Sequence, residues 1–403
     1  MTKKAKRILA ILMINMFITM VGIGLIVPIM PALMLEFGAT GQTVGLLIAA
    51  FGFTQFIFSP LAGGLSDKYG RKWLIVIGIG SFAVSQLIFA VGTELWMLYV
   101  SRFIEGAAAA LIMSPLMAAV ADITTLEKRA KGTGLLSAAM SLGFVVGPGI
   151  GGFLAEFGLR MPLYVSTATA VVATLVSIFF LPETLSEEAR AEAQSKSEKK
   201  KESIFKQLAN SLKGPYAMLF ILVFVMTFGL GNFEAVFGLF VDIQHGFTPK
   251  DIAIVITFAA LMGVGIQAVV IHQLIGKFGE KKVVSGALLF AAISFILVLM
   301  AKSYWVVFGT TLCVFLATSI LRPAINTMLS KMAGNEQGMV MGMSNAYISL
   351  GNILGPSLAG FLFDVNIFYP YMAASLIMFI LFAVMVRTKI EYKQAEETKE
   401  VAS

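Results

Sequence analysis

Long apolar stretches alternate with short polar ones along almost the whole chain. Twelve of them reach the roughly 20 residues that a helix needs to cross a hydrocarbon core about 30 Å thick. Lipid offers no partner to backbone N–H and C=O groups, so each stretch is predicted to be helical. The pattern predicts an all-α membrane protein with twelve transmembrane helices, at residues 8–35, 42–65, 73–92, 95–121, 132–155, 162–181, 215–241, 251–274, 282–301, 303–328, 338–363 and 369–387.

One polar stretch is much longer than the others. It follows the sixth span and is rich in Lys, Glu, Ser and Gln, which is typical of a solvated linker, and its second part favours an amphipathic helix. It divides the chain into two sets of six spans. The predicted domains are a six-helix bundle at 1–181, a cytoplasmic linker at 182–214, a second six-helix bundle at 215–387 and a cytoplasmic tail at 388–403.

Short motifs recur in the two halves at a nearly constant distance. The stretch SLGFVVGPG, which begins at Ser141, recurs as SLGNILGPS from Ser349, and KYGRK (68–72) recurs as KFGEK (277–281). A fixed offset between several motifs indicates an internal duplication. A parallel duplication of six helices is typical of carriers whose two halves rock around a site near the membrane midplane.

Composition and charge agree with this picture. The chain is 58% hydrophobic and only 13% charged, with a net charge of +7. The predicted outer loops carry Arg160, Lys250 and Lys302, two further arginines, Arg102 and Arg322, fall within spans, and the rest of the 30 Lys and Arg lie on the side of the N-terminus. By the positive-inside rule both termini are cytoplasmic. The basic charge therefore reflects membrane topology, and we expect no nucleic-acid partner.

The residues that would support covalent chemistry are scarce. Cys313 is the single cysteine, His245 and His272 lie on different segments, and no phosphate-binding P-loop motif occurs. Thiolate metal sites, histidine-based catalysis and P-loop ATP binding are therefore not expected. We expect neither an enzymatic activity nor a cofactor.

The loop between the second and third spans carries the motif GGLSDKYGRKW. Gly63 would permit a close helix approach, and Gly70 would permit a tight turn. Asp67 stands at a helix end, where an arginine or the N-terminus of a neighbouring helix can pair with it, and the motif also contains Arg71. We expect this motif to latch one conformation.

Several segments resemble a known family. The loop motif resembles the signature of the major facilitator superfamily. The segments RFIEGAAAA (102–110), GLLSAAMSLGFVVGPGIGG (134–152), FEAVF (233–237) and RPAINTMLSKMAGNEQG (322–338) resemble its twelve-helix drug:proton antiporters of the NorA/Bmr multidrug efflux type. The resemblance implies two pseudo-symmetric six-helix bundles in a bacterial cytoplasmic membrane. It also implies a monomer that exports hydrophobic, cationic or zwitterionic drugs, such as fluoroquinolones and dyes, by alternating access, driven by the proton gradient.

Glycines in the fifth span form a pattern of their own. Three of them are spaced i, i+4 and i+8, so they share one helix face and favour close packing against another membrane helix. A proline in the same stretch bends the helix. We expect this element and its repeat in the eleventh span to form a helix surface that seals in one conformation of the protein and shifts in the other. The alternative is that the glycines serve only static packing. The residues are Gly143, Gly147, Pro148, Gly151, Gly355 and Pro356.

Four charged residues fall within spans, where each costs at least about 2.5–3.5 kcal/mol. Glu234 has no basic residue in the core of its own span and apolar surroundings favour its protonated form, so it is the first candidate for proton carrier. Arg102 and Glu105 are spaced i, i+3 and can pair, and that pair either takes part in proton release or only neutralises itself. The resembled family has an acidic residue three positions before Arg322, where this chain has Ser319. Glu105 could take the part of that missing acid.

By resemblance, the drug pocket is apolar with a few polar groups. Ser137, Met140 and Phe144 lie off the glycine face of the fifth span. Two alternatives remain open: a proton-coupled carrier for one dedicated metabolite, and a receptor or structural membrane protein that reuses the fold. The pocket residues that the resemblance implies are Met20, Ile23, Gln55, Met113, Ser137, Met140, Phe144, Glu234, Arg322 and Asn352.

Overall fold

The computed structural model describes residues 3–188, 190–191, 204–333 and 337–388. Every regular element among these residues is a helix. Twelve helices are long and apolar enough to cross a membrane, which confirms the predicted all-α class and the number of spans. They are α1 (Lys3–Glu36), α2 (Gly41–Tyr69), α3 (Arg71–Val91), α4 (Leu95–Asp122), α5 (Leu126–Ala155), α6 (Met161–Phe180), α7 (Ala217–His245), α8 (Pro249–Phe278), α9 (Glu280–Met300), α10 (Tyr304–Ala333), α11 (Gln337–Val365) and α12 (Tyr369–Arg387).

Several helices extend beyond the predicted spans. α1 begins at Lys3 rather than at residue 8, and α10 continues to Ala333 rather than to residue 328. The spans were defined by apolar residues alone, whereas helical hydrogen bonding continues through the polar headgroup region on either side of the hydrocarbon core. The predicted tail lies outside the described residues except for its first position.

The predicted linker contains a short helix, Ile204–Ser211, in its second part. Tyr347 on α11 holds this helix, because its hydroxyl lies 2.9 Å from Ser211 Oγ and donates to Leu208 O at 3.3 Å. The Tyr347 ring also stacks on Phe220 of α7, with centroids 5.2 Å apart. The end of the linker is therefore fastened to the helices that follow it.

Helix packing repeats between the two halves of the chain. In the first half α1 packs along α5, α2 along α4, and α3 against both α4 and α6. In the second half α9 packs against α10 and α12, which matches α3, and α7 packs on α11, which matches α1 on α5. The duplication indicated by the motif spacing is thus visible in the pairing of the helices.

The glycine face of α5 packs directly on the backbone of α1. A Cβ atom placed on Gly143 would lie 2.7 Å from the carbonyl oxygen of Phe17, and one on Gly147 would lie 2.8 Å from that of Val21. Gly151 continues the same contact. Since real Cβ atoms do not approach other atoms this closely, only glycine allows the two helices to lie at this separation.

The same arrangement recurs between α7 and α11. A Cβ on Gly351 would lie 2.9 Å from Phe228 N, and one on Gly355 would lie 2.6 Å from Phe228 O. The ring of Pro356 packs against Gly231, where an added Cβ would lie 3.3 Å from it. Each half is thus built around its own pair of helices in backbone contact.

The chain divides into two compact units, and the division differs from the predicted start of the second bundle. The first unit contains α1 to α6 together with Phe237–Thr257, the hairpin in which α7 ends and α8 begins. This hairpin contacts α5 and its end: Lys250 Nζ lies 2.8 Å from Glu156 Oε1, and a Cβ on Gly152 would lie 2.9 Å from Pro249 O. The division into two six-helix domains stays a prediction.

We predict that Gly147→Ala lowers the stability of the protein, because the added methyl group overlaps the α1 backbone and overpacking typically costs about 1–3 kcal/mol. Gly134→Ala on the same helix is the matched control, since nothing lies within 4 Å of a Cβ at that position. The measurement is thermal unfolding of the detergent-solubilised proteins. Equal melting temperatures for the two variants would show that the contact does not require glycine.

Candidate functional site

Arg102 and Glu105 form a contact ion pair inside the first unit. Arg102 Nη2 lies 2.6 Å from Glu105 Oε2, and both side chains are buried. Two residues of α3 cover the pair: Gln86 Nε2 donates to Glu105 Oε1 at 3.4 Å, and the Arg102 guanidinium lies 4.6 Å from the centroid of the Phe89 ring. The predicted pairing is therefore present, enclosed between α3 and α4, where each charge is neutralised by the other.

Glu234 on α7 and Arg322 on α10 have a different environment. Glu234 is partly exposed although the residues at 233 and 235–237 are buried, and Arg322 is exposed although the residues at 321, 324 and 325 are buried. A charged side chain that faces hydrocarbon is strongly unfavourable. The exposure of both side chains therefore points to a polar space that they border.

These two residues belong to the same compact unit and interact electrostatically. Neither has a contact ion pair or a hydrogen bond with another residue in the described part of the chain. Glu234 and Arg322 are thus two opposite charges within electrostatic range, and no direct contact neutralises either of them. This is the main difference from the Arg102–Glu105 pair.

The remaining predicted pocket residues are mostly at the edge of the packed core. Met20 is buried, whereas Ile23, Met113 and Met140 are partly buried and pack against the core of the first six helices. Gln55 Nε2 lies 3.3 Å from Met113 Sδ, so the structure brings these two together across α2 and α4. Ser137 is partly exposed, and Phe144 and Asn352 are exposed. Their role in binding stays a prediction.

The loop motif between α2 and α3 is organised around Arg71. Gly70 adopts φ +102°, a backbone conformation that favours glycine, and its N–H bonds Ser66 O at the end of α2. Of the two partners predicted for Asp67, an arginine or a helix N-terminus, the structure shows an arginine, Arg71. Arg71 Nε also donates to Asp122 Oδ2 at 3.1 Å. The ends of α2, α3 and α4 are therefore joined through one guanidinium.

The predicted close approach at Gly63 involves α4. A Cβ on Gly63 would lie 3.3 Å from Ser114 Oγ, which is tighter than ordinary van der Waals contact. The conformational role assigned to the motif stays a prediction, as does that of the glycine face of α5.

Two acidic residues that the sequence did not single out complete this cluster. Glu183, just after α6, accepts hydrogen bonds from Arg71 N at 2.9 Å and Lys72 N at 3.2 Å, so its carboxylate caps the N-terminus of α3. Asp122 also accepts from Thr184 Oγ1 at 3.1 Å. The chain beyond α6 is thereby tied to the α2–α3 loop. Neither contact has a local sequence signal, because each joins residues more than 50 positions apart.

Metal-ligand clusters are not found in the part of the chain that the structure describes. No group of three or more His, Cys, Asp and Glu side chains there is placed to hold a metal ion.

We predict that Glu105→Gln sharply destabilises the protein, because it leaves the Arg102 charge buried without its partner, a change that typically costs about 3–5 kcal/mol. The double variant Arg102→Gln/Glu105→Gln should recover part of the loss, since it removes both charges. Thermal unfolding and expression yield measure the effect. A Glu105→Gln protein that is as stable as the wild type but defective in proton-coupled flux would instead support a role in proton release.

Sequence comparisons show the family, and a comparison with solved structures shows the fold. The family model of the Major Facilitator Superfamily matches residues 12–274 and 219–403. The chain is 46% identical to "Multidrug resistance protein 2" of Bacillus subtilis (strain 168) over 93% of both chains. It is 34% identical to "Quinolone resistance protein NorA" of Staphylococcus aureus (strain MRSA252) over 90% of this chain and 92% of that one. The crystal structure of a bacterial homologue of the human lysosomal transporter Spinster has a TM-score of 0.80 at 14% identity, covering 96% of this chain and 98% of that one. This multi-pass membrane protein therefore belongs to the Major Facilitator Superfamily.

Proposed function

We propose that the protein exports hydrophobic cationic or zwitterionic drugs, such as fluoroquinolones and dyes, in exchange for protons. The observation that carries the proposal is Glu234, an interior carboxyl group that borders a polar space and has no contact partner among the described residues. The relatives named for multidrug and quinolone resistance support the class of cargo. The proposed location is the cytoplasmic membrane of a bacterium, with both termini inside.

Competition for Glu234 gives a physical route to coupling. An ionised carboxylate is costly inside a membrane, so the protein favours states in which Glu234 holds either a proton or a cationic group. If only these two loaded states change conformation readily, a proton bound from outside must be released before a drug can bind from inside. The free energy then comes from the pH gradient and, where the exchange moves net charge as it does with a zwitterionic cargo, also from the membrane potential, at about 2.3 kcal/mol per net charge per 100 mV. The proposal needs no cofactor and no second subunit.

The helices in backbone contact would hold each six-helix bundle together while the bundles move. The glycine contacts of α5 on α1, and of α11 on α7, each join two helices of the same bundle at close distance. We assign the two six-helix bundles, 1–181 and 215–387, as the bodies that alternate. The cluster around Arg71 would fix the cytoplasmic end of the first bundle during this movement.

We predict that Glu234→Gln abolishes proton-driven export, because the amide neither binds a proton nor neutralises a cation. The measurement is ethidium efflux from energised cells at matched expression, with an expected fall of at least about tenfold, which corresponds to a rise of about 1.4 kcal/mol in the barrier. Glu94→Gln, the same chemical change at an exposed position before α4, is the control and should transport normally.

A second comparison separates the proposal from its alternatives. Collapse of the proton gradient should stop efflux by the wild-type protein. Export that persists without the gradient, or an unimpaired Glu234→Gln variant, would contradict the coupling role of this residue. Transport of only one compound in a panel of unrelated drugs would favour the carrier for a dedicated metabolite, and binding without flux would favour a receptor.

A further inference from the structure

The first two turns of α1 concentrate positive charge. Four exposed basic residues stand within them: Lys3, Lys4, Lys6 and Arg7. The first turn of α1 contains no acidic residue, and none of the four has a hydrogen bond or an ion pair with another residue that the structure describes. The positive end of the helix dipole lies at the same place, so it adds to their potential instead of compensating it. This end of α1 therefore attracts an anion.

One exposed face of α1 changes from basic to apolar along the helix. Its residues are spaced i, i+4, i+7 and i+11, so they lie within about 60° of one another around the helix axis. They are Lys3, Arg7, Ala10 and Ile14, and all four are exposed. The opposite face, with Ala5, Ile8 and Leu12, is buried in the bundle. The exposed face therefore leads from a charged end to an apolar surface about 10 Å further along the helix.

The end of α6 continues this surface. The Arg7 guanidinium lies 5.9 Å from the centroid of the Phe180 ring. Phe180 is 54% exposed and its neighbour Phe179 is 75% exposed, although both are large apolar side chains. Deeper in the bundle, Asn15 Nδ2 donates to Ser177 Oγ at 2.8 Å and holds α1 beside α6. Two adjacent helices thus present apolar side chains next to one basic end.

This combination defines the chemistry of a ligand. A small anion such as phosphate would use the basic side chains but not the apolar surface beside them. A phospholipid uses both, because its phosphate group is attached to acyl chains that lie along membrane helices. Basic clusters at the ends of membrane helices attract anionic headgroups, with a contribution of about fivefold in affinity from each Lys or Arg. The positive-inside rule requires basic residues on one side of the membrane but not on the exposed face of one helix.

We propose that the N-terminal end of α1 and the adjoining end of α6 form a binding site for an anionic phospholipid. Lys3 and Arg7 hold its phosphate group, with Lys4 and Lys6 on either side of them. The acyl chains lie against Ala10 and Ile14 of α1 and the exposed phenylalanines of α6. The site is separate from the proposed drug and proton site, and it does not depend on the export function.

The test measures the melting temperature of the purified, detergent-solubilised protein as phosphatidylglycerol is added, with phosphatidylcholine as the zwitterionic reference. A lipid that binds the folded protein stabilises it in proportion to its concentration and affinity. Phosphatidylglycerol should stabilise the wild-type protein more than phosphatidylcholine does. Lys3→Gln/Arg7→Gln should need about tenfold to thirtyfold more phosphatidylglycerol for the same shift, because it lacks two of the basic charges.

The matched control is Lys128→Gln/Lys131→Gln, which removes two exposed basic residues from the start of α5. It lowers the net charge by the same amount and should respond to phosphatidylglycerol as the wild-type protein does. An equal loss of response in both double variants would show general attraction between charges and would overturn the site. Equal stabilisation by inorganic phosphate at the same concentration would overturn the lipid as its ligand.

A second measurement keeps every basic residue and decides the question if Lys3→Gln/Arg7→Gln does not insert into the membrane. Cys313 is the only cysteine, so Ala10→Cys in a Cys313→Ser background gives a unique position for a bimane label. In proteoliposomes, phosphatidylglycerol with a doxyl group on its acyl chain should quench this label more strongly than doxyl-labelled phosphatidylcholine at the same mole fraction. Equal quenching by the two lipids would show that anionic lipid is not enriched at α1, and the proposal would fail.

Discussion

Two helices gain little in a bilayer by exchanging lipid for one another, because both environments are apolar. Their association therefore rests on how closely their surfaces pack. In this protein the closest contacts are those of α5 on α1 and of α11 on α7, where glycines on one helix meet carbonyl oxygens and amides of the other. The same constraint explains why a segment as poor in helix-favouring residues as SLGFVVGPGIGG is nevertheless helical: lipid leaves the backbone no alternative, and packing favours the absence of side chains.

A second constraint, the cost of charge in an apolar medium, divides the interior charges into two kinds. Arg102 and Glu105 meet this cost by direct contact, under cover of Gln86 and Phe89. Glu234 and Arg322 make no such contact with a described residue: both are at least partly exposed, and they attract each other only at a distance. A neutralised and enclosed pair has little free energy to gain from a proton or a cargo, whereas two open charges have much. The chemistry available to a carrier is therefore concentrated on the second pair.

The sequence was sufficient to predict the twelve spans, the all-α class and the duplication, because span length, hydropathy and motif spacing are local properties of the chain. The glycine pattern predicted a close contact but not its partner, since periodicity defines a helix face and not the helix that covers it. Glu183 and Asp122 were missed for a related reason: their contacts with Arg71 join distant parts of the chain. Met20 illustrates the same limit of sequence information. It is buried in the core of the first six helices, and an apolar residue in a span gives no sequence signal that tells a buried position from one at the edge of the core.

The two kinds of contact are complementary in a protein that must change shape. Packing through glycines joins helices of the same bundle, so these contacts need not break when the conformation changes, and the free energy that separates two conformations can be small. A change of charge at Glu234 can then be large in comparison, because each uncompensated charge in the interior costs several kcal/mol. A ligand shifts a conformational equilibrium only by its difference in affinity for the two states. A proton or a cargo that neutralises an interior charge therefore shifts the equilibrium only if the two conformations differ in how well they accommodate that charge.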